Sequence, residues 1–111
     1  MKELTKTEEM ILLTIHRLEG KAYGVALKHK ISELTGKNIA YGTLYFILDQ
    51  LTVKEYVSRY KGEPTPERGG RRKHYYRLTI EGIEALKESQ QMHDLIWNGI
   101  SNLSMEKGTD K

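Results

Sequence analysis

Two short strand-like runs, residues 56–61 and 73–78, bracket a segment that can only be a turn or a tip. The segment opens with Glu63-Pro64-Thr65-Pro66, which is turn-forming throughout. It continues into Gly69-Gly70-Arg71-Arg72-Lys73, a glycine hinge followed at once by three cations. The stretch then becomes aromatic, with His74, Tyr75 and Tyr76. Two strands joined through a basic, glycine-hinged tip make a β-hairpin suited to lie against polyphosphate.

The remainder of the chain supplies helices. Thr5 with Glu8 three residues on is a capping box for a first helix. Ile11, Leu12, Ile15 and Leu18 give that helix an apolar stripe, and Gly20 stops it. A second helix is expected from about Tyr23-Gly24, burying Leu27, Ile31 and Leu34 and ending at Gly36. A third is expected from about Ala40 to Val53, with Leu44, Ile47, Leu48 and Leu51 facing in. Its outward residues would be Tyr41, Gly42, Thr43, Tyr45, Asp49 and Gln50. The short Gly36-Lys37-Asn38 turn makes the second and third helices cross steeply, as in a helix-turn-helix. The last helix follows Thr79, a good N-cap, and is expected to reach about Leu103. A helix of that length exceeds what so small a domain can cover.

The fold class is therefore mainly α with a small β-hairpin: a winged helix-turn-helix plus a long C-terminal helix. Residues 1–79 would form the DNA-binding domain, 80–104 a dimerisation helix, and 105–111 a disordered tail.

Charge sharpens this reading. The net charge is +3, but residues 54–77 carry eight Lys/Arg against three Asp/Glu, while residues 78–111 carry three against six. One surface is built to meet a polyanion and another is not. Cysteine is absent, which excludes disulfides, thiol catalysis and zinc-cysteine sites and fits a reducing cytoplasm. The N-terminus has no signal-peptide apolar region, and no apolar run is long enough to span a membrane. His16, His29, His74 and His93 have no ligand spacing, so no metal or other cofactor is expected. No catalytic constellation appears, and the chain reads as a non-enzyme.

Candidate DNA contacts are Arg68, Arg71, Arg72 and Lys73 on the wing, and Tyr41, Thr43 and Tyr45 on the third helix. The wing cations can neutralise phosphates or enter a narrow minor groove. The plainer reading is a solvated charge run that protects an edge strand. Hydroxyls at the front of a helix can bond phosphate or base edges. For Thr43 the plainer reading is capping, and for Tyr41 it is partial burial against the second helix. Of Tyr75 and Tyr76, on opposite strand faces, one should be core. In the last helix, Ile83, Leu86, Gln90, His93, Trp97 and Ile100 form a seam of spacing three and four, and Ile96 adds to its apolar far end. Gln90 and His93 interrupt that seam with polar groups. They serve either as a polar layer that fixes register or as the lining of a ligand pocket.

Three segments carry a family resemblance: Tyr23-Gly24-Val25-Ala26-Leu27, Tyr41-Gly42-Thr43-Leu44-Tyr45, and Gly69-Gly70-Arg71-Arg72-Lys73-His74-Tyr75-Tyr76-Arg77-Leu78-Thr79, with Gly82 beyond. In this order and spacing the chain resembles the PadR family of transcriptional regulators, specifically its short members with one C-terminal helix. The resemblance covers roughly residues 8–103. It implies a winged helix-turn-helix homodimer on double-stranded DNA, most often a repressor on a pseudo-palindromic operator. It also implies that a small planar aromatic effector can sit between subunits. Two departures stand out. Phe46 replaces a common proline and is expected to change a local packing contact. Glu55 stands where a glycine commonly closes the third helix, and a left-handed cap is harder without glycine. The alternative function is a winged-helix protein-interaction module that does not read DNA. The basic wing argues against it, since such a module has no need for that charge.

Overall fold

A computed structural model describes residues 3–64, 72–100 and 103, leaving out the side chains of Glu63, Pro64 and Arg72. The elements run α1 (Lys6–Leu18), α2 (Gly24–Thr35), α3 (Tyr41–Val53), β1 (Val57–Pro64), β2 (Arg72–Leu78) and α4 (Ile80–Trp97). Each begins where local chemistry dictates. The Thr5 side chain accepts from the Glu8 N–H at 3.0 Å, while the Glu8 carboxylate accepts from the Thr5 N–H at 2.9 Å. α2 closes on Gly36, which takes the left-handed conformation at φ 76° that a side chain would resist. Thr79 caps α4 by accepting from the Gly82 N–H at 3.0 Å.

The core lies where the three N-terminal helices meet the base of the hairpin. Ile11, Leu12, Leu27, Ile31, Leu44, Leu48 and Leu51 are fully buried, with Val57 and Tyr76 closing one side. β1 and β2 pair antiparallel, with Val57 opposite Leu78 and Arg59 opposite Tyr76. Tyr76 is thus the core member of the tyrosine pair, and its N–H donates to the Ala22 carbonyl at 2.8 Å. Tyr75, on the other face, packs edge-on against Tyr23 at 5.5 Å and stacks with Tyr60 at 5.7 Å. Both faces of the hairpin base are therefore anchored, and the wing is fixed relative to α2.

Three expectations need correction. Leu34 is 47% exposed, because only Leu27 and Ile31 point into the core and the last turn of α2 runs past its edge. Phe46 makes no core packing contact; it is 62% exposed on the outward face of α3. α4 stops at Trp97, six residues before Leu103, with Asn98 leaving helical geometry and Gly99 at φ 85°. Glu55, by contrast, adopts the left-handed conformation at φ 66° despite its side chain. Its carbonyl accepts from the Thr79 hydroxyl at 2.6 Å, which holds the strained turn in place. The expected tail over residues 105–111 lies outside the described residues.

Only the first half of α4 packs on the domain. Ala85 is buried, and the Ser89 hydroxyl lies 3.0 Å from a Glu9 carboxylate oxygen. Beyond it, Met92, Leu95, Ile96, Trp97 and Ile100 are exposed. Among the described residues, no helix is long and apolar enough to cross a membrane, and no group of acidic or histidine side chains is placed to hold a metal.

Candidate nucleic-acid interface

The helices differ in how their N-termini are treated. α1 and α4 begin with capping threonines, Thr5 and Thr79. α2 and α3 begin at Tyr23 and Ala40, and neither has a side-chain cap. The first N–H groups of a helix need partners, and their aligned dipoles favour anions. The two helices of the helix-turn-helix thus present uncapped, electropositive ends. Thr43 is not the cap of α3, because that position belongs to Ala40; Thr43 is exposed in the first turn.

The two ends are brought together by tyrosines. Tyr41, the first residue of α3, stacks on Tyr45 with centroids 6.1 Å apart. The Tyr45 hydroxyl rests against Gly24 at the start of α2, where any β-carbon would overlap it. Both rings remain about 40% exposed, at 41% and 40%. Lys28 of α2 locks this arrangement. Its ammonium donates to the Asn38 side chain at 2.8 Å and to the Ile39 carbonyl, and stands 5.1 Å from the Tyr41 ring centre. Lys28 carries no sequence motif; only the path of the α2–α3 turn places it there.

The wing meets the same surface. Lys73 is half-buried, with its ammonium 4.1 Å from the Tyr23 ring centre. A cleft of about 330 Å³ joins the start of α2 to α3 and the hairpin, lined by Tyr23, Val25, Tyr45, Asp49, Arg59, Lys73 and His74 among others. The fold thus brings Tyr45 and Lys73 to one cleft; Tyr41 and Thr43, on the first turn of α3, do not line it. Arg59 adds a cation that the sequence did not single out. It lies 3.7 Å from Asp49 and beside Tyr76, whose hydroxyl is pushed up by burial while Arg59 pulls the other way. Arg77 covers the Tyr60 ring at 4.2 Å on the opposite hairpin face. Arg68 and Arg71 lie outside the described residues, and for Arg72 only the backbone position in β2 is described.

The seam residues form a separate surface. Gln90, His93, Ile96, Trp97 and Ile100 are all exposed, and none joins the helix-turn-helix face. His93 stacks on Trp97 with centroids 5.8 Å apart. Its Nδ1 is 3.4 Å from the Asp94 carboxylate. Gln90 and His93 border a hollow between α1 and α4 that also contains Leu13, Leu78 and Ile83.

The model of the "Transcriptional regulator PadR-like family" matches residues 11–88. The chain is similar to a PadR-like transcription factor from Bacteroides fragilis, with 29% identity, 81% of this chain and 82% of that one covered, and a TM-score of 0.71. It is similar to a transcriptional regulator from Clostridium thermocellum, with 29% identity, coverage of 86% and 92%, and a TM-score of 0.63. It is also similar to RosR of H. salinarum in a complex structure named hsRosR-S1, with 30% identity, coverage of 85% and 76%, and a TM-score of 0.65. No curated protein matches the chain significantly.

Proposed function

The chain belongs to the PadR-like family of transcriptional regulators, and from that premise we propose that it acts as a homodimeric repressor on a pseudo-palindromic operator. The observation that carries the reading is the cleft that joins the uncapped start of α2 to Tyr45 and Asp49 of α3 and to Arg59 and Lys73 of the hairpin, with the uncapped start of α3 one turn before Tyr45. In this reading both helix ends receive phosphates. Tyr41, Thr43 and Tyr45 stand where α3 meets the major groove, with hydroxyls available to phosphate and base edges. Lys73, Arg72, Arg71 and Arg68 take the flanking backbone or minor groove as the wing descends.

The dimer is formed through α4. Leu95 and Ile96 are apolar and, among the described residues, largely uncovered, and Trp97 is 45% exposed. A two-fold axis through this helix would set two copies of α3 about 34 Å apart, one helical turn of DNA. Bound there, the dimer blocks polymerase. The stacked His93 and Trp97 rings would border the subunit junction, and a planar aromatic effector held there would change the relative placement of the two heads. The protein works in the cytoplasm, beside its DNA.

The test is a binding titration on the DNA upstream of its own gene. A dimer meeting about six phosphates should lose roughly a thousandfold in affinity between 50 and 200 mM salt. Sedimentation of the free protein should give a dimer, and deletion from Met92 onward should give monomer or insoluble chain. Flat affinity across that salt range would refute the DNA-facing assignment. A truncated chain that still dimerises would refute the assignment of α4.

A further inference from the structure

Phe46 is the chain's one phenylalanine, and it is exposed in the second turn of α3. Helical spacing explains why. Leu44, Leu48 and Leu51 point into the core and are fully buried. Gly42, Phe46, Asp49 and Val53 recur at steps of four, three and four on the opposite stripe, and all are exposed. Gly42, one turn before Phe46, has open space where a side chain would stand. The ring therefore projects from the outer face of α3, with open space among the described residues at Gly42 on its N-terminal side. The stacked Tyr41–Tyr45 pair lies to one side, nearer α2.

A phenyl ring has no hydrogen-bond donor or acceptor. On a helix lying in the major groove, the one base-edge feature it can recognise is apolar, and that feature is the C5-methyl of thymine. We propose that Phe46 is a specificity-determining residue that packs on a thymine methyl in each operator half-site. This rests on the reading that α3 enters the major groove. It adds what Tyr41 and Thr43 cannot supply, since their hydroxyls bond phosphates and polar edges without requiring a methyl group. The bare Gly42 leaves room for the base pair to approach the ring.

The experiment first selects a preferred site from a randomised duplex pool with the wild-type protein. Each thymine of that site is then replaced singly by deoxyuridine, which removes the methyl group and keeps every hydrogen bond. The expected result is one position per half-site where the replacement weakens binding by about fourfold, the worth of one buried carbon. Phe46→Ala should bind thymine and deoxyuridine sites equally, and Phe46→Leu should keep part of the preference. Both variants should melt as the wild type does, because the ring is mostly exposed. If the wild type binds its site but treats thymine and deoxyuridine alike at every position, the assignment of Phe46 is overturned while the placement of α3 stands. The assignment also fails if Phe46→Ala keeps the preference, or if it changes the sedimentation of the free protein. If no duplex is bound above background, the placement of α3 falls first and the Phe46 assignment with it.

Discussion

Replacing Gly82 by alanine tests the junction on which the whole arrangement depends. Gly82 lies in the first turn of α4 against the backbone of Tyr56, and a β-carbon there would overlap the Tyr56 carbonyl oxygen. That oxygen cannot retreat freely, because it accepts the Thr79 N–H at 3.1 Å. The overlap should cost about 1–3 kcal/mol, as overpacking of a rigid neighbour does. Losing the Thr79 bond would add about 1 kcal/mol. Alanine's better helix propensity returns at most about 1 kcal/mol. The net loss is about 1–3 kcal/mol, or roughly 5–15 °C in Tm for a chain near 100 residues. Thermal unfolding followed by far-ultraviolet circular dichroism, at fixed protomer concentration, measures it. Gly42→Ala is the matched control. It sits in the first turn of α3 with open space around it, so it should be neutral or stabilising by up to about 1 kcal/mol. It should nonetheless weaken DNA binding, since the added methyl stands on the stripe proposed to face DNA. A Gly82→Ala protein as stable as wild type would refute the claim that α4 docks by backbone contact at this point.

Three further outcomes follow from named contacts. Burial raises the Glu8 carboxyl, but the bonds from Lys54 at 2.7 Å and from Thr5 outweigh it and leave its pKa lowered. Its contribution is therefore fully present above the unfolded value near 4.3 and lost as pH falls through the lower folded value; Glu8→Gln should cost about 1–3 kcal/mol at pH 7, with the gap closing below about pH 4 in urea titrations. Glu55→Gly should stabilise the fold by up to about 1 kcal/mol in the same assay, because the residue is held at φ 66°. Gly24→Ala should displace the Tyr45 ring, reducing DNA affinity while shifting Tm less than Gly82→Ala does, because a side chain yields more easily than a backbone carbonyl.

Much of the fold was legible because its signals are local. The Thr5–Glu8 box, the Gly36 stop and the Thr79 cap each operate within a few residues, and each element starts or ends there. The hairpin was legible from its turn chemistry and its aromatic strand. What escaped was set by the ends of elements and by partners far apart in sequence. Leu34 fits the apolar period of α2, yet that helix outruns its neighbours at its last turn. Phe46, standing for a common proline, suggests a changed packing contact, but its helical phase places it opposite Leu44 and Leu48 and exposed. Lys28 and Arg59 reach the candidate interface only through tertiary geometry, across ten residues to Asn38 and ten to Asp49. No spacing rule finds such pairs. α4 was overextended because the apolar run past Trp97 continues a helical period that Gly99 breaks.

The placement of Tyr56 determines how any signal would pass between the α4 surface and the proposed DNA-facing surface. Its N–H donates to the Leu51 carbonyl at the end of α3, at 2.9 Å. Its carbonyl accepts from Thr79 at the start of α4 and touches Gly82. Its neighbour Glu55 is held by the Thr79 hydroxyl, and the next residue begins β1. The end of α3, the root of the hairpin and the start of α4 therefore share one backbone node. Bending within a protomer would have to break several of these bonds at about 1 kcal/mol each. In the proposed dimer, rotating one protomer against the other about α4 would break none of them. In that proposed dimer a change felt along α4 should thus reach α3 as a rigid-body rotation that alters the spacing of the two α3 helices, with each head keeping its internal shape.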